Sequence, residues 1–190
     1  AMTDSTASAT ELQRTPLHAL HLELGARMVE FAGYDMPVSY PAGVLAEHRH
    51  CRSAAALFDV SHMGQVRLVG DGADRALESL VPVDVIGLGV DRQRYAFFTN
   101  AAGGLLDDLM VTRRSGDLLL VVNAGCKAAD IAHLTTNIGH RCTIQALPGL
   151  ALVALQGPKA VAALGRLAPG VAALTFMCGG AFTIEGAECY

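Results

Sequence analysis

Arg94-Tyr95-Ala96-Phe97-Phe98-Thr99, the turn Asn100-Ala101-Ala102-Gly103-Gly104, then Leu105-Leu106-Asp107-Asp108-Leu109-Met110-Val111 continuing to Arg113 decide the fold. Short β-rich runs separated by a glycine-rich turn read as two antiparallel strands. A second turn, Arg114-Ser115-Gly116-Asp117, leads to a third strand at Leu118 to Val122, which makes a three-stranded meander. Upstream, Val66 and Leu68 alternate with polar neighbours as a half-buried strand does, and Asp71 to Leu80 is helical with Pro82 shortly after it. Downstream, Asn123 is suited to cap a helix through Ala128, Ile131 and Leu134 that Gly139 ends, before a strand at Cys142 to Gln145. The order β-α-β-β-β-α-β predicts an α+β fold: antiparallel or mixed sheets with helices packed on one face, built from split β-α-β (ferredoxin-like) elements.

Outside this block, Thr15-Pro16 opens a short helix with Leu17, Leu20 and Leu24 as its apolar side and Gly25 as its stop. Arg27 to Tyr40 reads as extended, and Val44 to Leu57 as a helix of about three to four turns. After Pro148, Leu150 to Leu155 is an apolar strand, Gly157-Pro158 opens a helix ending near Pro169, and Phe182 to Cys189 alternates again. Ala1-Met2 has the form of a tag-cleavage scar ahead of a loose Ser/Thr/Ala-rich tail over residues 1–14. The sequence stops inside a strand pattern at Glu188-Cys189-Tyr190, the expectation for a fragment.

Of 190 residues, 52% are apolar and 17% charged, enough to bury a core and too apolar for intrinsic disorder. The net charge of −4 argues against a nucleic-acid partner. No apolar run approaches the roughly 18 residues that cross a bilayer, so no membrane role is expected. Five cysteines without a C-x-x-C pair suggest neither a disulfide framework nor a zinc knuckle and fit a reducing, cytoplasmic setting.

Asp107-Asp108 is the clearest anomaly, because aspartate is disfavoured in strands and this strand is otherwise apolar on both faces. Period two sends the pair to opposite faces, so one carboxylate points into a core or cavity and the other toward a loop or solvent. The bland reading is an exposed acid and a turn cap; the sharper one is a carboxylate that binds donors on a polar ligand. Asp59, Ser61 and His62 offer triad chemistry, yet they fall within four positions and no G-x-S-x-G elbow is present. A hydrogen-bonded turn with Met63 packed inward is the stronger physical reading. His48 and His50 lie about 200° apart on a helix, unlike a zinc pair at i, i+4, so no metal site is expected.

Thr15-Pro16-Leu17, Phe31-Ala32-Gly33-Tyr34-Asp35-Met36-Pro37-Val38, Phe58-Asp59-Val60-Ser61-His62-Met63, Gly103-Gly104-Leu105-Leu106-Asp107-Asp108-Leu109, Val122-Asn123-Ala124 and Leu155-Gln156-Gly157-Pro158 together resemble the aminomethyltransferase, or T-protein, family of the glycine cleavage system. The matches run in family order from about Thr15 to Tyr190. The resemblance implies tetrahydrofolate-dependent transfer: lipoylated H-protein presents an aminomethyl group, ammonia is released, and the one-carbon unit passes to tetrahydrofolate as 5,10-methylenetetrahydrofolate. In the family's Asp-Asp-Leu motif the folate-facing carboxylate matches Asp108, which would be catalytic near folate N10, with Asp107 as its structural partner. Met63, Tyr95 and Asn123 would bind the cofactor. H-protein and folate are the implied partners, and no metal is.

The resemblance also implies a division of the chain. Residues 15–57 would begin a folate-binding domain, 58–147 would form an inserted α+β domain, and 148–190 would return to the first domain and be cut short. The family's Gly-Tyr-Thr-Gly-Glu motif and C-terminal barrel domain are not in the 190 residues. Weak or no folate binding by the chain alone is therefore expected. The competing readings are the folate domain of a dimethylglycine- or sarcosine-oxidising relative, and a non-catalytic folate-binding or assembly module.

Overall fold

The computed structural model of the chain describes residues 11–190. The scar and most of the tail read for residues 1–14 lie outside them. Among the described residues pairing is already present at Gln13, two residues before the expected start: it bridges to Tyr34, receiving the Asp35 N–H at 2.9 Å and donating to the Gly33 carbonyl at 2.9 Å.

Helix α1 (His18–Glu23) leads into the hairpin β1 (Arg27–Phe31) and β2 (Tyr34–Ser39). Its stop is as expected: Gly25 sits at φ 72°, and Ala26 N–H closes back on the His21 carbonyl. Its buried side is not. Leu20, Leu22 and Leu24 are exposed, while His18 and His21 are buried, because each imidazole has a carboxylate partner across the chain. Helix α2 (Val44–Ser53) is shorter than the expected Val44 to Leu57, since Ala56–Asp59 forms strand β3 instead. A run of Ala and Leu fits either conformation locally, and here its pairing partner decides.

Next come β4 (Gly64–Val69), α3 (Ala73–Glu78), β5 (Arg92–Thr99), β6 (Leu105–Arg113), β7 (Leu118–Val122), α4 (Lys127–Ile138) and β8 (Thr143–Ala146). These strands form one antiparallel sheet in the order β5-β6-β7-β4-β8. Strands β7 and β8 flank β4 and are both antiparallel to it, so β7-α4-β8 is a split β-α-β unit. Both α3 and α4 cover the same face of this sheet. Ala76, Leu77, Leu134 and Ile138 pack there against Val66, Leu68, Phe98, Leu109, Val111, Leu120 and Val122, all at most 2% exposed. Each of the Val, Leu, Ile and Phe side chains contributes about 1.5–3 kcal/mol relative to exposure, which makes this layer the main core. The fold is α+β, with antiparallel sheets and helices on one face.

The last part of the chain comprises β9 (Val153–Gln156), α5 (Ala160–Leu164), a 3-10 turn at Pro169–Ala173 and the hairpin β10 (Phe182–Ile184) and β11 (Ala187–Cys189). Strand β9 pairs with β3, setting Ala56 opposite Gln156 and Asp59 opposite Val153. At this seam Gly157 has φ 118°, and an added Cβ would lie 2.5 Å from the carbonyl oxygens of both Cys51 and Ala54. Glycine in the Gln156-Gly157-Pro158 motif thus lets the end of β9 approach the end of α2.

Candidate functional site

The face of the five-stranded sheet opposite the helices is where the candidate residues gather. Asp108 pairs with Phe97 and Met110 with Tyr95, so Tyr95, Phe97 and Asp108 share one face of β5 and β6. All three side chains are exposed, Tyr95 at 60% and Phe97 at 41%. The ladders set Val122 opposite both Leu109 and Gly64. One step further brings Asp108, Asn123 and Met63 to the same end of three neighbouring strands. Period two does separate the aspartates: Phe98, the partner of Asp107, is fully buried on the helix-covered face, whereas Phe97, the partner of Asp108, lies on the open one.

Asn123 does not cap α4. The residue before the helix is Cys126, with no side-chain cap bond. The Asn123 amide nitrogen instead donates to Asp107 Oδ1 at 3.0 Å, to Asp108 Oδ1 at 3.0 Å and to the Asp108 carbonyl at 3.1 Å. Two adjacent carboxylates compete for one donor group, and their attraction to it outweighs a cap on a solvated helix end. Both amide hydrogens are engaged, so Asn123 clamps the aspartates and has only its carbonyl oxygen left to offer.

Behind the strand, the first turn of α4 brings Asp130 to Asp107. Asp130 is 4% exposed, and its carboxyl is pushed up to about 7, first by burial and then by its hydrogen bond with Asp107 and the charges of Asp107 and Asp108. The neighbouring Cys126 thiol is also raised, chiefly by the charge on Asp107.

No triad forms from Asp59, Ser61 and His62. Asp59 Oδ2 bonds His21 Nε2 at 2.9 Å, and the other nitrogen of that ring, Nδ1, meets Tyr40 Oη at 2.9 Å. Ser61 Oγ donates to the Leu152 carbonyl at 3.2 Å and accepts from Leu152 N–H at 2.9 Å. His62 stands edge-on to Phe31 and Tyr34, and burial is the first cause of its lowered pKa. Among the described residues, no group of three or more His, Cys, Asp or Glu side chains is placed to hold a metal ion.

Residues 17–190 match the family model of the GCVT N-terminal domain. The chain belongs to this family. It is 41% identical over 192 residues to the mitochondrial aminomethyltransferase of Dictyostelium discoideum, an alignment that spans 96% of this chain and 48% of that protein. To the human mitochondrial aminomethyltransferase it is 39% identical, over 92% of this chain and 45% of the relative. The crystal structure of glycine cleavage system aminomethyltransferase T from Bartonella henselae superposes with a TM-score of 0.83 at 40% identity, covering 92% of this chain and 48% of that one. The chain spans about half the length of the curated relatives it matches.

In this GCVT N-terminal domain several polar links escape local sequence reading, among them His18 with Asp35, His21 with Asp59, Lys127 with Tyr34, and Asp130 with Asp107. Lys127 Nζ donates to Tyr34 Oη at 2.6 Å and to the His62 carbonyl at 2.9 Å, tying the start of α4 to β2 and to the residue before Met63. A groove of about 680 Å³ lies between β2, α2 and β3, lined by Val38, Val44, Leu57 and Phe58 among others, and none of Asp108, Tyr95, Asn123 or Met63 borders it. No helix among the described residues is long and apolar enough to cross a membrane.

Proposed function

We propose that this chain is part of a tetrahydrofolate-dependent aminomethyltransferase of the glycine cleavage system, with lipoylated H-protein as its partner and Asp108 as its catalytic carboxylate. One observation carries the reading. Asp108 stands on an open sheet face beside two exposed aromatic rings, Tyr95 and Phe97, with its carboxylate held by Asn123. Flat rings and a fixed acid suit a planar heterocycle that carries N–H groups. When bound, tetrahydrofolate would supply the amine that accepts the one-carbon unit. Asp108 would accept a hydrogen bond or proton from that amine, Tyr95 would support the ring, Met63 would border the pocket, and Asn123 would hold the carboxylate in register. The aminomethyltransferase names of the relatives favour this reaction over oxidation of dimethylglycine or sarcosine.

Residues 15–57 and 148–190 would form one unit and 58–147 the inserted α+β unit, with the junction falling inside β3, whose last two residues, Phe58 and Asp59, still pair with β9. A cytoplasmic setting is supported by five free thiols, and the mitochondrial names of two relatives give the alternative compartment.

The test is Asp108→Asn in a protein carrying this sequence followed by the rest of the family's length. Transfer to tetrahydrofolate should fall by at least about 100-fold, as for loss of a positioned acid or base, with unchanged thermal stability. Unchanged transfer activity would refute the assignment.

A further inference from the structure

The Asp107–Asp130 contact is not explained by a structural role for Asp107 alone. Both residues carry an Oδ2 atom that is buried without a hydrogen-bond partner, and both atoms are acceptors when ionised. Two ionised carboxylates in contact, one of them 4% exposed, would suffer desolvation and repulsion, offset only by the Asn123 amide on Asp107 Oδ1. A proton on one turns an acceptor into a donor and satisfies both.

We propose that Asp130 holds a proton and donates it to Asp107, so that the two act as one buried acid–carboxylate pair which, through Asn123, positions Asp108. The chain of contact is continuous: Asp130 O–H to Asp107, Asp107 Oδ1 to the Asn123 amide, and that amide to Asp108 Oδ1. The pair carries one negative charge in place of two beneath the strand that presents Asp108. Asp130 is thus a positioning residue, acting through Asp107 and Asn123.

The titratable groups around the pair are few. Asp107 and Asp108 face it from β6, Cys126 from the turn before α4, and His133 from the next turn of α4. The His133 ring lies edge-on to Phe98, and its Nε2 makes no hydrogen bond to Asp130. Lys127 is directed away, to Tyr34 and the His62 carbonyl. Among the described residues no cation is paired with either carboxylate, and the rise of the Asp130 carboxyl to about 7 agrees with a retained proton.

The positioning part rests on the catalytic reading of Asp108; the shared proton does not. Carboxyl-carbon NMR of the 190-residue chain should show one aspartate titrating near neutrality. Asp130→Asn should remove that step, and Asp107→Asn should move it to lower pH. If every aspartate titrates below about pH 5, or the step survives Asp130→Asn, the shared proton is overturned. In the protein of full family length, Asp130→Ala should lower kcat about tenfold with little change in the KM for folate, and Asp130→Asn, whose amide still donates to Asp107, should recover most of it. The pH profile of kcat should lose its limb near neutrality in Asp130→Asn. A profile identical to that of the unsubstituted protein would overturn the positioning role. If Asp108→Asn kept transfer activity, the catalytic reading would fail while the NMR result stood on its own.

Discussion

His21 Nε2 and Asp59 Oδ2, 38 residues apart in sequence, meet at 2.9 Å with side chains only 5% and 0% exposed. The pair fastens α1 to the end of β3, and Tyr40 closes it from the other side of the ring. Burial alone would raise the Asp59 carboxyl. The hydrogen bonds it receives from Ser61 and His21 outweigh that and hold it below its ordinary 3.8.

Removing His21 leaves Asp59 Oδ2 buried without its donor, with only Ser61 still bonded to the carboxylate. His21→Ala should therefore cost about 3 kcal/mol of unfolding free energy, measured by urea denaturation, against well under 1 kcal/mol for Leu22→Ala on the exposed side of the same helix. Because the folded pKa of Asp59 is lowered, its contribution is present above pH 3.8 and is lost as pH falls through the folded value.

Asn123 separates two carboxylates with a single amide, so the identity of its replacement should matter more than its size. Asn123→Ala should destabilise by about 1–3 kcal/mol, the cost of leaving partly buried acceptors without a donor. Asn123→Asp should be worse, since it places a third carboxyl against the first two, and its excess cost over Asn123→Ala should shrink between pH 8 and pH 5. Denaturation curves of the two variants at both pH values check this, and equal cost at pH 8 would contradict the clamp.

The meander was legible because each of its strands carries a local signature: apolar runs of strand length, bounded by Gly-Gly and Ser-Gly turns. Placing Asp107 and Asp108 on opposite faces needed only period two. What local pattern could not supply was any decision made by a distant partner. Nothing local marks His18 and His21 as the buried side of their helix, because Asp35 and Asp59 lie far along the chain. Ala56 and Leu57 read as the tail of a helix until β9 arrives beside them. Asp130, in the first turn of α4, has the look of an ordinary solvated helix acid, and nothing adjacent in sequence indicates the carboxylate it contacts. Asn123 was singled out for its chemistry by resemblance, whereas its part as a clamp depends on a strand register that only the fold defines.

A carboxyl raised in the folded state gives stability of the opposite pH sense to Asp59. Asp130 binds its proton more tightly when folded, so its contribution is complete below 3.8 and declines as pH rises to about 7. Unfolding free energy should fall across that window by an amount on the order of 2–4 kcal/mol from this group. Asp130→Asn should flatten this part of the profile, which equilibrium denaturation at half-unit pH steps can follow. A slope unchanged by the substitution would remove Asp130 as its source.

At Gly157 both backbone conformation and space exclude a side chain. Gly157→Ala combines a φ of 118° with carbonyl contacts at 2.5 Å, so it should cost several kcal/mol, about 3 or more. Gly116→Ala, where an added Cβ meets nothing within 4 Å, is the control and should change stability by well under 1 kcal/mol. Comparable thermal midpoints for the two would contradict the tight seam.

The pairing of residue 56 with residue 156 also orders events in time. The meander and its flanking helices close over short stretches of chain, whereas β3 and β9 must find each other across the whole intervening segment. Loop-closure entropy makes that the slow encounter. The β5-β6-β7 meander should therefore pair early, while β3-β9, like β4-β8, waits for a partner distant in the chain, with Gly157 at the edge of the last seam to close.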